Sequence, residues 1–181
     1  MHQMIPLWQM AGFIFTSVLG TTLHFLFDWS DQNIISALFS AVNESIWEHM
    51  KLIYYPMFLF GWLEYFVWGK EFAPFWCVKL KGMLLALGLI PTIFYVYTGI
   101  LGKTADWFNI TIFFIAAGTA FRLESRLFFN GFSCKVPKKT AIILLFLIGL
   151  LFIVLTFYPP HIPLFQDPIN QTYGYIAIPT R

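Results

Sequence analysis

Long apolar runs, separated by short polar segments, dominate the pattern of this chain. A helix needs about 20 apolar residues to cross the roughly 30 Å of hydrocarbon in a bilayer. Runs that approach this length lie at 6–27, 52–69, 82–101, 106–121 and 140–158. A shorter run over 33–42 is bounded by polar residues, which favours an interfacial or re-entrant helix. The pattern predicts an all-α integral membrane protein with five transmembrane helices and one short helix.

The segment after the last apolar run, 159–181, contains five prolines and several apolar residues but no helical period. Proline fixes φ and removes a backbone donor, so this segment cannot continue as a long helix. A disordered tail is usually richer in charge and poorer in aromatic residues. We therefore expect 1–158 to form the helical bundle and 159–181 to form a tail that packs on it.

The basic residues separate into two groups along this predicted topology. Eight of them lie between the second and third runs or between the fourth and fifth: Lys70, Lys79, Lys81, Arg122, Arg126, Lys135, Lys138 and Lys139. Only Lys51, Lys103 and Arg181 fall on the other side. The positive-inside rule makes the richer side cytoplasmic. The sequence thus predicts a multi-pass protein of the cytoplasmic membrane, with its N-terminus inside and its C-terminus outside.

Composition narrows the classes of function. Of the 181 residues, 59% are hydrophobic and 11% are charged, whereas soluble domains carry about 25% charged residues. The net charge of +2 and the lack of a basic stripe predict no nucleic-acid partner. The expected partners are membrane lipid and a lipid-linked or small-molecule substrate. Cys77 and Cys134 have no CxxC spacing and lie near predicted cytoplasmic ends, so we expect both thiols to be unpaired.

The densest polar segment is NESIWEHMK at 43–51, which leads into the second apolar run. On one helix, at about 100° per residue, its acidic residues, serine and histidine share one side. Imidazole nitrogen and carboxylate oxygen are suitable ligands for a divalent metal such as zinc. With the other ionisable residues predicted at the extracytoplasmic end, the candidate metal ligands are His24, Asp28, Glu44, Glu48, His49, His161 and Asp167.

A histidine and a carboxylate within reach of a substrate also suffice for acid/base chemistry without a metal. The candidate catalytic residues are His24, Glu48 and His49, with His24 and Glu48 as the expected acid/base pair. Helix capping offers a structural alternative, since Ser45 followed three residues later by Glu48 matches a capping box. Asp28, Ser30 or Asp31 can likewise cap the short helix predicted over 33–42. The pattern leaves open whether Glu48 caps a helix or belongs to a site.

Glu64 is a carboxylate within the second apolar run, toward its predicted cytoplasmic end. A buried carboxylate must find a cation or become neutral. We expect Arg122, at the end of the fourth run, to pair with it. Glu124 is expected to pair locally with Arg122 or Arg126.

The stretches HFLFDWS, VNESIWEHMKLIYYP and YPPHIPLFQDP, with TYGY after the last, resemble a family of small bacterial integral membrane proteins of uncharacterised function. These proteins are found mainly in Gram-positive organisms, and NESIWEH is the most specific part of the resemblance. The resemblance implies a location in the bacterial plasma membrane. It implies no activity and no catalytic residues.

These observations favour a His/carboxylate site at the extracytoplasmic end of a membrane-embedded protein. The leading hypothesis is a metal-dependent hydrolase, or an acid/base enzyme, that acts on a lipid or lipid-linked headgroup. One alternative is a small transporter or ion-binding protein, in which Glu64 extends the path of carboxylates. A second alternative is a partner subunit or sensor without catalysis.

Overall fold

The computed structural model describes residues 4–102 and 105–176, and this part of the chain is helical without any β-strand. Six α-helices follow one another as α1 (Ile5–Trp29), α2 (Ile34–Ala37), α3 (Ile46–Val67), α4 (Phe75–Leu101), α5 (Asp106–Phe129) and α6 (Lys138–Phe157). Two short 3-10 turns lie at Gly69–Glu71 and Pro163–Phe165. The prediction of an all-α protein is confirmed.

Helices α3 and α4 each contact three other long helices. α3 packs against α1, α4 and α6, and α4 packs against α3, α5 and α6, while α5 also packs against α1. Consecutive long helices run in opposite directions, as expected when compact connections join neighbours. We call one end of the bundle the histidine end, because it contains His24 near the end of α1 and His49 near the start of α3. The opposite end, with Lys79 near the start of α4, is the lysine end.

Three of the long helices, α1, α4 and α6, are long and apolar enough to cross a membrane. This finding corrects the prediction of five spans. In α3 the hydropathy is lowered by Glu48, Lys51 and Glu64, which are buried between helices and do not face the surroundings. In α5 it is lowered by charged residues near the C-terminal end, Arg122 and Glu124 among them. An average over sequence cannot distinguish charges that face inward from charges that face lipid.

Glycine allows α1 to approach its neighbours closely. A Cβ atom at Gly20 would lie 2.6 Å from the carbonyl oxygen of Leu52 in α3 and 2.8 Å from the ring of Phe113 in α5. Both distances are well inside van der Waals contact. The packing of α1 against α3 and α5 therefore requires a residue without a side chain at this point.

The segment with a predicted helix over 33–42 is helical only in the four residues of α2. Its N-cap is Asn33, whose side-chain oxygen accepts a hydrogen bond from the backbone amide two residues later at 2.8 Å. The prediction that Asp28, Ser30 or Asp31 caps this helix is wrong. Asp28 lies inside α1, which continues to Trp29, and Asp31 lies in the following turn with a φ of 51°.

The described part of the tail folds back over the histidine end. Phe165 is buried against Trp47, with ring centroids 4.6 Å apart. The backbone amide of Tyr175 donates to the carbonyl oxygen of Thr156 at 2.8 Å. Gly174 has a φ of 58°, a left-handed conformation that glycine adopts without strain. Residues 159–176 thus cover the start of α3 and the end of α6, and the rest of the tail lies outside the described residues.

At the lysine end, Cys77 of α4 and Cys134 of the connection between α5 and α6 form a disulfide. The expectation that both thiols are unpaired is therefore wrong. The two cysteines are 57 residues apart in sequence, a separation that carries no spacing signal. Only the return of the chain after α5 brings them together.

Candidate metal centre

Three ionisable side chains meet where the end of α1 faces the start of α3. His24, Glu44 and His49 each offer one ligand atom, and these three atoms lie within 4.8 Å of one another. The Nε2 atom of His49 is 3.4 Å from Oε2 of Glu44, and the His24 and His49 ring centroids are 5.2 Å apart. No other group of three or more such ligands comes together within 4–102 and 105–176.

The start of α3 fixes the orientation of His49. Ser45 is the N-cap, and its hydroxyl accepts a hydrogen bond from the Glu48 amide at 3.3 Å. The carbonyl oxygen of Ser45 lies 2.9 Å from Nδ1 of His49. A carbonyl oxygen can only accept, so Nδ1 carries a proton, and in the neutral ring Nε2 presents its lone pair on the side of Glu44. Ligating histidines commonly have one nitrogen held in this way.

The spacing of the three ligand atoms suits one small divalent ion. Histidine nitrogen and carboxylate oxygen bind zinc at about 2.0–2.2 Å, so two ligands of one ion lie at most about 4.4 Å apart. The contact between His49 and Glu44 already satisfies this limit. The Glu44 side chain is 44% exposed, so it has room to adjust its position to a bound ion.

His24 has unused bonding capacity at this site. Its Nδ1 atom is buried and makes no hydrogen bond. A buried imidazole nitrogen without a hydrogen bond is a potential metal ligand, because metals bind the neutral ring. Asp28 lies one helical turn beyond His24 but is exposed, and its carboxylate is not part of the group.

The structure places Glu48 in a separate network. Its carboxylate is 2.6 Å from Nζ of Lys51, accepts from the Thr156 hydroxyl at 2.9 Å and accepts from the Val42 amide at 3.1 Å. Lys51 also donates to the hydroxyl of Thr156 at 2.9 Å. The predicted pairing of Glu48 with His24 is not formed, because these contacts turn the carboxylate toward α6. The reciprocal bond of a capping box is also absent, since the amide of Ser45 donates to Asn43.

The two candidate ligands of the tail have different positions. His161 is exposed and packs against Tyr173, with ring centroids 4.6 Å apart and ring planes tilted by 43°, away from the three-residue group. Asp167 is buried and accepts a hydrogen bond from the backbone amide of Glu44 at 3.4 Å. The tail therefore contributes Asp167, which accepts a hydrogen bond from the Glu44 amide, but it does not place His161 at the site.

Asp167 is held as a carboxylate. Burial by itself raises its pKa, but hydrogen bonds from the backbone amides of Asn170, Ile169 and Glu44 outweigh that effect. The pKa of Asp167 is consequently below its ordinary value. The shortest of these hydrogen bonds is from the Ile169 amide, which donates at 2.7 Å. The ionised Asp167 accepts hydrogen bonds from its own turn in the tail and from the backbone amide of Glu44, and it thereby links the tail to the start of α3.

The prediction that Glu64 pairs with Arg122 is wrong. Glu64 forms an ion pair with Lys79 of α4, and Nζ of Lys79 is also 2.5 Å from Oε2 of Glu124 in α5. Arg122 and Arg126 are exposed. Because each is two positions from Glu124, about 200° around the helix, they lie on the opposite face of α5.

Lys51, Lys79 and Thr156 are the residues that sequence reasoning missed. A usable signal existed for Lys51, which follows Glu48 by three positions, a spacing that brings helical side chains together. No comparable signal existed for Lys79 or Thr156. Lys79 lies in a segment predicted to be a cytoplasmic loop, and Thr156 is a single hydroxyl residue within an apolar run. Their partners are on other helices.

Comparison with known proteins assigns the chain to a family but not to an activity. No curated protein matches it, and no solved structure matches it. A family model described as "Family of unknown function (DUF6512)" matches residues 2–175, nearly the whole chain. The protein belongs to this family.

Proposed function

We propose that His24, Glu44 and His49 bind one divalent metal ion, and that this centre hydrolyses a bond in the headgroup of a lipid or lipid-linked substrate. The observation that carries the proposal is the convergence of three ligand atoms within 4.8 Å. They come from two segments that are far apart in sequence. The extracytoplasmic face of the bacterial plasma membrane is the proposed location.

The donor set supports a catalytic centre more than a structural one. Structural zinc sites usually have four protein ligands, whereas catalytic sites have three, often two histidines and a glutamate, and keep one position open. His24, His49 and Glu44 are such a set. Two of the three side chains are partly exposed, His49 by 33% and Glu44 by 44%, so a substrate can reach them.

When bound, a divalent metal supplies a water of lowered pKa and polarises a phosphoryl or carbonyl oxygen. The chain holds and orients the ligands. The Ser45 carbonyl fixes His49 by its Nδ1 atom, and Asp167 holds the backbone amide of Glu44. Outer contacts of this kind fix the positions of metal ligands and raise affinity.

The depth of the site favours a lipid substrate. Large exposed aromatic residues mark the histidine end on three helices, namely Trp29 in α1, Trp107 in α5 and Tyr158 just after α6. Tryptophan and tyrosine are enriched where membrane proteins meet the headgroup region. His24 lies five positions before Trp29, between one and two helical turns below it. The ligands are therefore at the depth of lipid headgroups.

The metal is tested by elemental analysis of the full chain purified without chelator. We expect about one equivalent of a divalent metal in the wild type and little in His24→Ala or His49→Ala. His161→Ala is the matched control, because His161 belongs to the same end but lies outside the group. A wild type without metal, even after addition of zinc or manganese, would overturn the metal-dependent form of the proposal.

The reaction is tested on the metal-loaded protein in vesicles that contain phospholipids, lipid-linked phosphates and lipid esters. We expect release of a headgroup that EDTA abolishes and that added metal restores. His49→Ala should be inactive, and His161→Ala should retain activity. Turnover that persists after EDTA would instead assign acid/base chemistry without metal. Bound metal without turnover of any of these lipid classes would contradict the enzymatic role.

A further inference from the structure

A second polar cluster is completely enclosed near the lysine end of the bundle. It draws one side chain from each of four helices: Gln9 of α1, Glu64 of α3, Lys79 of α4 and Glu124 of α5. Lys79 forms ion pairs with both carboxylates, and the side-chain amide of Gln9 donates to Oε1 of Glu64 at 2.6 Å. All four residues are buried.

The charges of this cluster do not balance. Two carboxylates surround one ammonium group, so full ionisation would leave one negative charge enclosed among apolar side chains. No other cation among the described residues contacts the cluster, and Arg122 and Arg126 are exposed on the far face of α5. The side chain that α6 contributes to the adjoining cavity is Leu145. An unpaired charge in such surroundings is strongly disfavoured, and the group takes up a proton instead.

The carboxylate oxygens of this cluster are not all satisfied. Oε1 of Glu64 accepts a hydrogen bond from Gln9, whereas its Oε2 has only the ion pair with Lys79 and no hydrogen bond. Oε2 of Glu124 is 2.5 Å from Lys79, but Oε1 of Glu124 is buried and has no hydrogen-bond partner. An ionised carboxylate has four acceptor sites to satisfy, so this oxygen would be costly if charged.

The helices make room for this carboxyl group. A Cβ atom at Gly82 of α4 would overlap Oε1 of Glu124 and lie 2.6 Å from its Cγ. A cavity of about 10 Å³ lies beside the group and is lined in part by Gly61, Lys79, Met83 and Glu124. This is close to the smallest volume that holds one water molecule. Lys79 already occupies the space between the carboxylates, so no ring of oxygen ligands is left for a metal cation.

We propose that Glu64, Lys79 and Glu124 form a buried proton-binding site, in which the two carboxylates share one proton beside the ammonium group at neutral pH. The ligand of this site is a proton, and the site does not depend on the metal centre at the histidine end. Enclosed ionisable groups in membrane proteins commonly mark proton-binding positions. Such a site can respond to pH, or it can exchange a proton with the solution at the lysine end of the bundle.

Infrared spectroscopy of the full chain in lipid nanodiscs tests the proposal directly. Near neutral pH we expect a carbonyl stretching band of a protonated carboxylic acid, which shifts on transfer to deuterium oxide. Glu124→Gln should remove the band, whereas Glu71→Gln should leave it, because Glu71 is exposed. A wild type without this band, in a folded sample, would overturn the proposal.

Thermal unfolding supplies a second, independent measurement. A folded protein that holds one proton more than the unfolded chain loses stability as pH rises above the ordinary glutamate pKa of about 4.3. Histidines also titrate there, so the informative quantity is the wild type compared with Glu124→Gln. We expect the variant to fold and to lose this part of the pH dependence. Identical pH profiles, or a wild-type midpoint that rises with sodium or potassium concentration and not with acid, would contradict proton binding.

Discussion

The carboxylate of Glu48 and the ammonium group of Lys51 are 2.6 Å apart on successive turns of α3, and their side chains are 1% and 0% exposed. The ammonium group also donates to the carbonyl oxygen of Ala37 at 3.0 Å and to the hydroxyl of Thr156. One ion pair thereby joins α3 to α2 and α6 beneath the metal centre. Such a pair fixes geometry more than it adds stability, because burying both charges is costly.

Lys51→Met is expected to be much more damaging than removal of the whole pair. The single change leaves the Glu48 carboxylate buried with only neutral donors, which costs about 3–5 kcal/mol. Adding Glu48→Gln removes the uncompensated charge and should restore a large part of the loss. Chemical unfolding of the three proteins in detergent measures the difference. Equal stabilities of the single and double variants would contradict a charge-pair interpretation.

Gly20→Ala is expected to destabilise the packing of α1 on α3. The new methyl group would lie 2.6 Å from a backbone oxygen that cannot move independently, and overpacking of this kind costs about 1–3 kcal/mol. Gly88→Ala in α4 is the matched control, since nothing lies within 4 Å of a Cβ atom there. We expect its thermal midpoint to be unchanged or slightly higher, because alanine favours helix more than glycine does. A Gly20→Ala protein as stable as the wild type would show that α1 is not packed this closely.

Asp167→Asn is expected to weaken the attachment of the tail by about 1–3 kcal/mol near neutral pH, because the buried carboxylate accepts several backbone hydrogen bonds. The pKa of Asp167 is lowered in the folded state. Its stabilisation is therefore complete above the ordinary aspartate pKa of about 3.9 and is lost as pH falls through the lower folded value. Thermal unfolding as a function of pH should show that the wild type loses its advantage over the variant only on the acid side. A gap that narrows toward alkaline pH would have the wrong sign.

Glu44→Gln and Asp28→Asn distinguish the ligands that the structure brings together from those that only the sequence suggested. Glu44 lies within the group and Asp28 does not. Loss of a residue that only hydrogen-bonds to a metal ligand weakens binding by roughly 10–100-fold. We expect Glu44→Gln, which alters a ligand itself, to weaken metal binding by at least that much. Asp28→Asn should change the affinity much less. Titration calorimetry with zinc measures both, and a larger loss in Asp28→Asn would require a different ligand set.

Hydropathy was sufficient to predict an all-helical chain but not the number of membrane-crossing helices. The apolar runs of α1, α4 and α6 are long and apolar enough to cross a membrane. α3 does not meet that criterion, because it contains Glu48, Lys51 and Glu64, although all three are buried inside the bundle. A hydropathy average counts a buried, paired charge in the same way as a charge that faces lipid. The positive-inside rule likewise counted Lys79 as a loop residue, although its side chain is buried in α4.

The sequence by itself determined the local features: the helical runs, the cap at Ser45 and the concentration of ionisable residues in NESIWEH. These depend on neighbours within one or two helical turns, and so they can be read from spacing. Only the tertiary structure decided which of the ionisable residues meet. It joined His24 to His49 and Glu44, turned Glu48 toward Thr156, and placed Lys79 between Glu64 and Glu124. Each of these relationships joins separate segments of the chain, and their distances follow from how the helices pack.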